Sequence, residues 1–386
     1  MKKLFLFSIG LAALITGCRK TNDSKEDLRN FVMVNLVDNN GRYGAQHQDP
    51  TLMNAWGLAF SPTGIAWVNS NGGGVSEVYT AEGAILRPPV RIPTPTDTMG
   101  GNPTGIVFAG GKGFRLWNGA AAAFLFVTED GVLAGWNGAA GNNALRIKDL
   151  SATSEFKGLA IASWGGKDYI YATDFKSGKI IVWDTAFTKV SMPFHDPTIP
   201  WGYHPFNIQA VAGWLFVTYA LVGPTGDDVK GPGHGFVSIF KPDGSFVSRF
   251  ASAGPLNSPW GITAAGKKFL DAKDLDDELV HLQSEVGGTF TKLTGHQLPP
   301  VVSDNERGDL DSVILVGNFG DGRINAYGLK GNFLGQLKSH FQTITVDGLW
   351  ALSFAPASST VDQRRLYFTA GPNDEKNGLF GYLIKQ

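Results

Sequence analysis

Polar side chains recur at one place in a repeating pattern of this 386-residue chain. Six short segments share a glycine or small residue at their second position, and they read WGLAF, TGIVF, KGLAI, FNIQA, WGITA and WALSF. Three or four residues before that second position stand Asn54, Asn102, Glu155, His204, Asn257 and Asp347, while Asn207 occupies the second position of the fourth segment. Oxygen-rich groups of this kind suit Ca²⁺, or a divalent metal that activates water or a lactone carbonyl.

Turn chemistry is the competing interpretation of the same residues. Asn and Asp that precede a strand commonly accept hydrogen bonds from their own backbone and bind nothing else. All seven residues are therefore candidates for ligand contacts, and a narrower hypothesis makes five of them the ligands of one calcium or other divalent ion: Asn102, Glu155, Asn207, Asn257 and Asp347. The sequence leaves both interpretations open.

Motifs for known catalytic mechanisms are absent from the sequence. There is no GxSxG elbow, no HExxH helix, no phosphate-binding loop and no EF-hand spacing. The seven histidines stand singly, and none lies at a metal-ligand spacing from another. Turn chemistry explains Glu129 at its hairpin tip without any function, and it is the first interpretation of the polar turn Asn373-Asp374-Glu375, with a site as the alternative.

The N-terminus has the pattern of an export signal. Two lysines precede an apolar run over residues 4–15, and Ile-Thr-Gly then leads into Cys18, the one cysteine of the chain. Twelve apolar residues are too few for a membrane-spanning helix, so residues 1–17 are predicted to be a lipoprotein signal peptide with lipidation at Cys18. An ordinary signal peptide with an incidental cysteine is the alternative. Residues 18–30 are polar and predict a tether.

Composition favours a fold of short strands. The chain has 50 glycines, 20 prolines, 26 phenylalanines and 10 tryptophans, and only 17% of its residues are charged. Many turns and many aromatic residues are typical of all-β architectures. With 33 basic and 34 acidic residues, the charge balance predicts no nucleic-acid partner.

The six segments repeat at a spacing that matches a propeller blade. Successive segments begin 48, 53, 49, 54 and 90 residues apart, and each is followed by a predicted β-hairpin. A glycine-containing strand suits the crowded position nearest the axis. We therefore predict an all-β, six-bladed β-propeller over residues 31–386; a solenoid is the structural alternative. The alternating segment from Phe31 to Leu36 is expected to close the ring by pairing with the last blade.

The long last spacing predicts an insertion in the fifth blade, at about residues 266–309. Charged residues crowd its first part, and Leu275, Leu279, Leu282 and Val286 recur at helical spacing. A partly helical segment packed on the side of the propeller is one interpretation, and a cap over one mouth of the central channel is the other. Trp56, Trp260 and Trp350 likewise have two interpretations, as packing between blades or as a stacking platform for sugars.

Signature blocks along the chain support a family resemblance. NAWGLAFSPTG, NPTGIVFAGG, HPFNIQAVAG, LVGNFGDGRINAYG and YFTAGPNDEKNGLFG resemble, in order, those of a family of uncharacterised exported bacterial proteins, and the resemblance runs from about Phe31 to Ile384. Each blade also resembles the NHL type, whose six-bladed members include lactonases, lyases and binding modules. The resemblance implies a fold and export. The insertion after Ala265 and the alanine at position 351 depart from the family pattern.

Two classes of function remain after this reasoning. The first is an exported lipoprotein of the outer membrane or cell surface, held to the membrane through Cys18, whose propeller rim binds a small molecule, glycan or protein. The second is a hydrolase or lyase of the lactonase type with a divalent metal at the axial mouth. We expect a monomer in either case.

Overall fold

Strands and turns make up nearly all of the chain that can be described. The computed structural model describes residues 28–111, 113–270 and 313–386. The predicted signal peptide with Cys18, and most of the predicted insertion, lie outside these residues. Within them the helices are the one-turn α1 (Lys267–Leu270) and the 3₁₀ turn Gly138–Ala140. No helix of the described ranges is long and apolar enough to cross a membrane.

Each predicted repeat forms one antiparallel sheet, and the six sheets are called blades 1 to 6. Blade 1 contains β3 (Ala55–Phe60), β4 (Ala66–Ser70), β5 (Val75–Tyr79) and β6 (Val90–Arg91). Blade 2 contains β7 (Pro103–Phe108), β8 (Phe124–Thr128), β9 (Val132–Trp136) and β10 (Leu145–Asp149). Blade 3 contains β11 (Phe156–Trp164), β12 (Lys167–Asp174), β13 (Lys179–Asp184) and β14 (Lys189–Val190).

The second half of the chain repeats this arrangement. Blade 4 contains β15 (Tyr203–Val211), β16 (Trp214–Leu221), β17 (Phe236–Phe240) and β18 (Phe246–Ser252). Blade 5 contains β19 (Pro259–Ala265), β20 (Val313–Asn318), β21 (Ile324–Tyr327) and β22 (Phe333–Gln336), and a small hairpin follows, β23 (Lys338–Ser339) with β24 (Gln342–Thr343). Blade 6 contains β25 (Leu349–Ser353), β26 (Leu366–Ala370) and β27 (Leu379–Lys385), joined by β1 (Phe31–Asp38) and β2 (His47–Gln48).

The first strands of the six blades form a closed ring. These inner strands are β3, β7, β11, β15, β19 and β25; each contacts the next, and β25 contacts β3. A solenoid would leave two ends, so the cyclic contacts confirm the predicted six-bladed propeller. Six apolar clusters each join two neighbouring blades, and a seventh lies on the axis.

Ring closure uses the N-terminal strand, as predicted. β1 pairs antiparallel with β27 from Phe31 opposite Lys385 to Asp38 opposite Leu379. This pairing covers the edge of β27, which would otherwise present unpaired backbone groups to solvent. The propeller is therefore closed by residues from both ends of the described chain.

Residues 266–312 join the first two strands of blade 5. β19 ends at Ala265, which pairs with Val313 at the start of β20. The described beginning of this connection is α1, whose Phe269 stacks on Phe31 of β1 with ring centroids 4.8 Å apart. The helical pattern from Leu275 onward falls on residues outside the described ranges.

Every inner strand carries a β-bulge at the same place. The pairing register between first and second strands shifts near the second residue of each repeated segment, in all six blades. A bulge turns a side chain away from the alternating pattern of a regular strand. The bulge could not be predicted from the sequence, because a bulge is a property of strand pairing.

Tight packing explains the small residue at the bulge. A Cβ on Gly261 would lie 2.6 Å from the carbonyl oxygen of Trp350 in the next blade, closer than real Cβ atoms approach. A Cβ on Gly158 would meet Asn207 in the same way. Neighbouring inner strands are thus held so close at the bulge that there is little room for side chains between them.

Side chains bridge five of the six seams between blades. In each, a buried side chain donates to a backbone carbonyl at the next blade's bulge: Asn69 to Thr104 (2.9 Å), Thr104 to Phe156 (2.7 Å), Thr173 to Phe206 (3.2 Å), Asn207 to Trp260 (2.7 Å) and Thr369 to Trp56. At the seam of blades 5 and 6 no described side chain donates to the carbonyl of Trp350. Leu349 and Leu352 fill that space against Gly317.

Candidate functional site at the axial mouth

Aromatic side chains from five blades close the axis at one end of the inner strands. Trp56, Phe206, Trp260 and Trp350 all stand at the bulge, and their side chains pack in one buried cluster with Phe319 and Phe175. Trp350 stacks between Trp56 (3.6 Å) and Phe319 (3.8 Å), with interplanar angles of 13° and 12°. We call this cluster the axial plug. Its tryptophans are at most 5% exposed, so they offer no platform on which a sugar could stack.

Two lysines lie against opposite ends of this aromatic stack. The ammonium of Lys157 lies 5.4 Å from the ring centroid of Trp56, and that of Lys230 lies 4.1 Å from the centroid of Phe319. A cation over an aromatic face is attracted by the ring quadrupole. Lys157 stands at the bulge of blade 3, where four other blades place an aromatic residue. Lys230 comes from the long loop between β16 and β17 of blade 4.

Lys157 is buried and bonds two glutamates. Its Nζ lies 2.5 Å from Oε1 of Glu129 and 2.7 Å from Oε1 of Glu155. Burial alone would lower the pKa of this ammonium, but the two carboxylates outweigh burial and raise the pKa above its ordinary value. Lys157 therefore carries a fixed positive charge beside the plug.

Amide side chains hold the surrounding acidic groups. Asn71 donates to Oε2 of Glu129 (2.8 Å), and Asn102 donates to the carbonyl of Asn71 (3.3 Å). The backbone N–H of Asn102 in turn donates to Oδ2 of Asp130 (3.0 Å). The hairpin tips of blades 1 and 2 are thereby tied to each other around the mouth.

Asn54 connects the plug to the carboxyl group of Glu375. Its Oδ1 accepts a hydrogen bond from the indole N–H of Trp350 (2.8 Å), and its Nδ2 donates to Oε2 of Glu375 (2.7 Å). Burial and the charge of Glu129 raise the pKa of Glu375, only partly offset by Asn54 and the two lysines. This carboxyl group of blade 6 is thus in electrostatic contact with the ion pairs of blades 2 and 3.

The loop of blade 4 contributes the remaining carboxyl group. Burial raises the pKa of Asp228, and Ser258 together with Lys230 and Lys157 partly offsets the increase. The same two lysines, Lys157 and Lys230, lower the pKa of both Asp228 and Glu375. The charged groups from blades 2, 3, 4 and 6 therefore share one mouth. We call the four carboxyl groups and two lysines the mouth cluster: Glu129, Glu155, Asp228, Glu375, Lys157 and Lys230.

Three of the residues proposed from the sequence bond to this mouth cluster or its neighbours: Asn54, Asn102 and Glu155. The other four take part in backbone contacts. His204 bonds the carbonyl of Phe175 through Nδ1 (2.6 Å), and Asn207 bridges to Trp260 within the ring. Asn257 accepts from the N–H of Gly231 (2.7 Å), and exposed Asp347 accepts from that of Asn373 (2.9 Å).

A metal site has limited support in this arrangement. Among the described residues, no group of three or more His, Cys, Asp or Glu side chains could hold a metal ion. The amide of Asn207 and the carboxylates of Glu155 and Asp347 are engaged by protein donors or a backbone bond. The hypothesis of a calcium or other divalent ion at the five predicted ligands stays a prediction.

Sequence reasoning missed the central member of the mouth cluster. In the repeat pattern Lys157 is simply the first residue of the segment KGLAI. It is nevertheless the one charged residue among six bulge positions otherwise occupied by Trp, Phe or Thr. That contrast was the available signal. Glu129 and Glu375 had been assigned to turn chemistry, because their proximity depends on the ring closing.

Comparison with known proteins gives relatives of undescribed activity. No family model matches the chain. Two uncharacterised proteins of Acanthamoeba polyphaga mimivirus are each 29% identical over 367 residues, which covers 91% of this chain and 80% or 85% of theirs. Among solved structures, a streptogramin B lyase has a TM-score of 0.49 at 11% identity, covering 92% of this chain and 98% of its own. Virginiamycin B lyase from Staphylococcus aureus has a TM-score of 0.44 at 12% identity, covering 92% and 99%.

Proposed function

We propose that this protein is an exported binding propeller, anchored to a membrane through Cys18, whose ligand binds at the axial mouth. The observation that carries the proposal is the mouth cluster itself. Buried charge is retained in proteins only where it is paired or has a use. Here the Lys157 ion pairs lie where four blades meet, beside an aromatic plug that already stabilises the axis.

The acceptor oxygens left over in the mouth indicate which groups a ligand would present. Within the described part of the chain, Lys157 bonds one oxygen of Glu155, and Asn54 bonds one oxygen of Glu375. The second oxygen of each carboxylate can accept a further bond. Four carboxyl groups against two lysines also leave the mouth acidic. A ligand that donates hydrogen bonds fits this mouth, such as a glycan through its hydroxyls or a peptide through an amine.

Direct binding measurements test the site. We would titrate the protein with two defined panels, neutral oligosaccharides and short lysine-containing peptides, and follow tryptophan fluorescence and calorimetric heat. Binding by a member of either panel should weaken at least tenfold in Glu155→Gln and Glu375→Gln. The matched control is Glu82→Gln, an exposed glutamate paired with Arg365 on the rim. Binding that survives both mouth variants would place the ligand elsewhere.

An enzyme of the hydrolase or lyase class is the second candidate, and one observation favours it. Burial and the charge of Glu129 raise the pKa of Glu375, and a carboxyl group with a raised pKa beside a second carboxylate is an arrangement used for general acid–base catalysis. Metal analysis of protein purified without chelator, combined with a lactone-hydrolysis assay, separates this candidate from a binding module. Lactone turnover lost in Glu375→Gln would favour the enzyme.

Membrane anchoring is tested separately from ligand binding. Cys18→Ala should move the protein from the membrane fraction to the soluble fraction, because no acyl chain can then be attached. Ser24→Ala in the predicted tether is the control and should stay with the membrane. Sedimentation of the cysteine variant with membranes would contradict the anchor.

A further inference from the structure

A second cluster of acidic groups lies buried at the seam where the ring closes. Asp49 and Thr51 belong to the connection between the strands added to blade 6 and the first strand of blade 1. Glu77 and Tyr79 stand on β5 of blade 1. Glu77 is 1% exposed, Tyr79 is fully buried and Asp49 is 6% exposed.

One hydroxyl group lies between the two carboxyl groups. Oγ1 of Thr51 is 2.6 Å from Oδ1 of Asp49 and 2.6 Å from Oε1 of Glu77. A threonine hydroxyl has a single proton, so it can donate to one carboxylate only. The other contact is a hydrogen bond only if that carboxyl group carries a proton and donates it to Oγ1. The geometry therefore requires one protonated carboxyl group.

Hydrogen bonding identifies which group carries the proton. Asp49 also accepts bonds from the phenol of Tyr79 (2.9 Å) and the backbone N–H of Thr51 (3.1 Å), and these donors stabilise its charged form. Glu77 has Thr51 as its side-chain partner. Burial, together with the charge of Asp49, raises the pKa of Glu77 from 4.5 to about 7, against the lowering effect of Thr51.

No cation of the described chain compensates the cluster. Asp49 and Thr51 face Glu77 from the connecting segment, Tyr79 flanks it on its own strand, and β4 places Val68 opposite it in register. Within residues 28–111, 113–270 and 313–386, neither carboxyl group forms a salt bridge. Ionisation of Glu77 would therefore place a second, uncompensated negative charge inside the seam.

We infer that Glu77, Thr51 and Asp49 form a proton-dependent latch on the closure of the propeller, which is tight in acidic conditions and weakened above neutral pH. This inference is independent of the ligand proposed for the axial mouth. The sign follows from linkage: a carboxyl group with a raised pKa in the folded state contributes stability that is complete below its unfolded pKa. That stability is lost as the pH rises through the folded value.

Stability curves at several pH values test the latch. We would unfold the full chain with urea between pH 4.5 and pH 8.5, comparing wild type with Glu77→Gln, whose amide N–H₂ can donate to Thr51 as the protonated acid does. Between these limits the unfolding constant of wild type, relative to that of the variant, should rise by roughly 100-fold. The matched control is Glu82→Gln on the following turn, whose curve should run parallel to that of wild type.

Parallel curves for wild type and Glu77→Gln would overturn the latch. A second measurement covers the case in which the variant does not fold. Wild-type protein with ¹³C-labelled glutamate carboxyl groups should show a glutamate that titrates near neutral pH, and Thr51→Val should change the titration of that resonance, which assigns it to Glu77. If every glutamate resonance titrates below about pH 5.5, Glu77 is not protonated in the fold and the inference is wrong.

Discussion

The ring of bulge positions divides into an aromatic sector and a polar sector. Blades 1, 4, 5 and 6 place Trp56, Phe206, Trp260 and Trp350 on the axis, where they form the axial plug. Blades 2 and 3 place Thr104 and Lys157 at the same positions. All six have the same local backbone, a bulge followed by a small residue. The side chain alone decides whether the position packs the axis or carries charge to the mouth.

On this division, the aromatic sector stabilises the propeller, and the polar sector holds groups that we propose bind a ligand. Aromatic burial is non-directional and gains free energy in proportion to the area removed from water. A buried lysine with two carboxylates gains little net free energy, because desolvation offsets the attraction. Variants in the two sectors should therefore differ in both the size and the pH dependence of their effects.

The largest effect is expected in the aromatic sector. Trp350 is 1% exposed and stacks on two rings, so Trp350→Ala should lower the free energy of unfolding by about 3–5 kcal/mol. Denaturant unfolding measures the loss. Trp201→Ala is the matched control; this tryptophan is 99% exposed, and its removal should change stability by less than about 0.5 kcal/mol. Equal losses would mean that the plug does not hold the axis.

Removing the charge in the polar sector should cost less and depend on pH. Lys157→Met keeps the aliphatic stem but leaves Glu129 and Glu155 unpaired, and we expect a loss of about 2 kcal/mol at pH 7. The raised pKa of Lys157 means that its contribution persists at every pH below the ordinary lysine value of 10.5. The deficit of the variant should therefore shrink only as the pH rises above 10.5, and urea unfolding of both proteins measures it.

A compensating variant makes this test specific. Adding Glu129→Gln and Glu155→Gln to Lys157→Met removes the uncompensated charges, so most of the lost stability should return. A triple variant as unstable as Lys157→Met would contradict charge imbalance as the cause of the loss.

The sequence predicted the aromatic sector better than the polar one. The segments WGLAF, TGIVF, KGLAI, FNIQA and WGITA recur at blade spacing, so the inner strands and the six-bladed ring could be predicted from composition and period. The N-terminal strand was also recognisable as the closing strand, from the apolar segment Phe31 to Leu36. These features depend on local sequence and on a repeat, which a single chain displays.

The mouth cluster could be predicted only in part. Asn54, Asn102 and Glu155 were found from their recurrence before the inner strands. Glu375 bonds Asn54 across 321 residues, and no local pattern reveals that contact. Lys157 is the charged exception among the residues at the bulge. A search for repeats looks for what the segments share, so it passes over a residue that differs from the others.

The bonds between blades should not distinguish the two sectors. Thr369 bridges to Trp56 in the aromatic sector, and Thr173 bridges to Phe206 at the seam of blades 3 and 4; both threonines are fully buried. Valine has the same shape without the hydroxyl, so each Thr→Val change removes the donor to one carbonyl and the acceptor of one backbone N–H, of Gly158 or Ala351, and should cost at least about 1–2 kcal/mol. Chemical denaturation of both variants should give similar losses. A much larger loss of stability in Thr173→Val than in Thr369→Val would show that the two sectors also differ in the bonds between their blades.

The smallest effect on stability is expected where the two sectors meet, at Lys230. Its ammonium lies over Phe319 of the plug but is exposed, so Lys230→Met should change the free energy of unfolding by only about 0.5 kcal/mol.

The electrostatic effect of Lys230→Met should be clearer, because Lys230 partly offsets the burial that raises the pKa of Glu375 and of Asp228. Removing the lysine should raise both pKa values further, which carboxyl-carbon NMR titrations can follow. Lys176→Met, on another hairpin tip, is the control and should leave both titrations unchanged. If Glu375 and Asp228 titrate alike in wild type and Lys230→Met, Lys230 does not act on the carboxyl groups of the mouth.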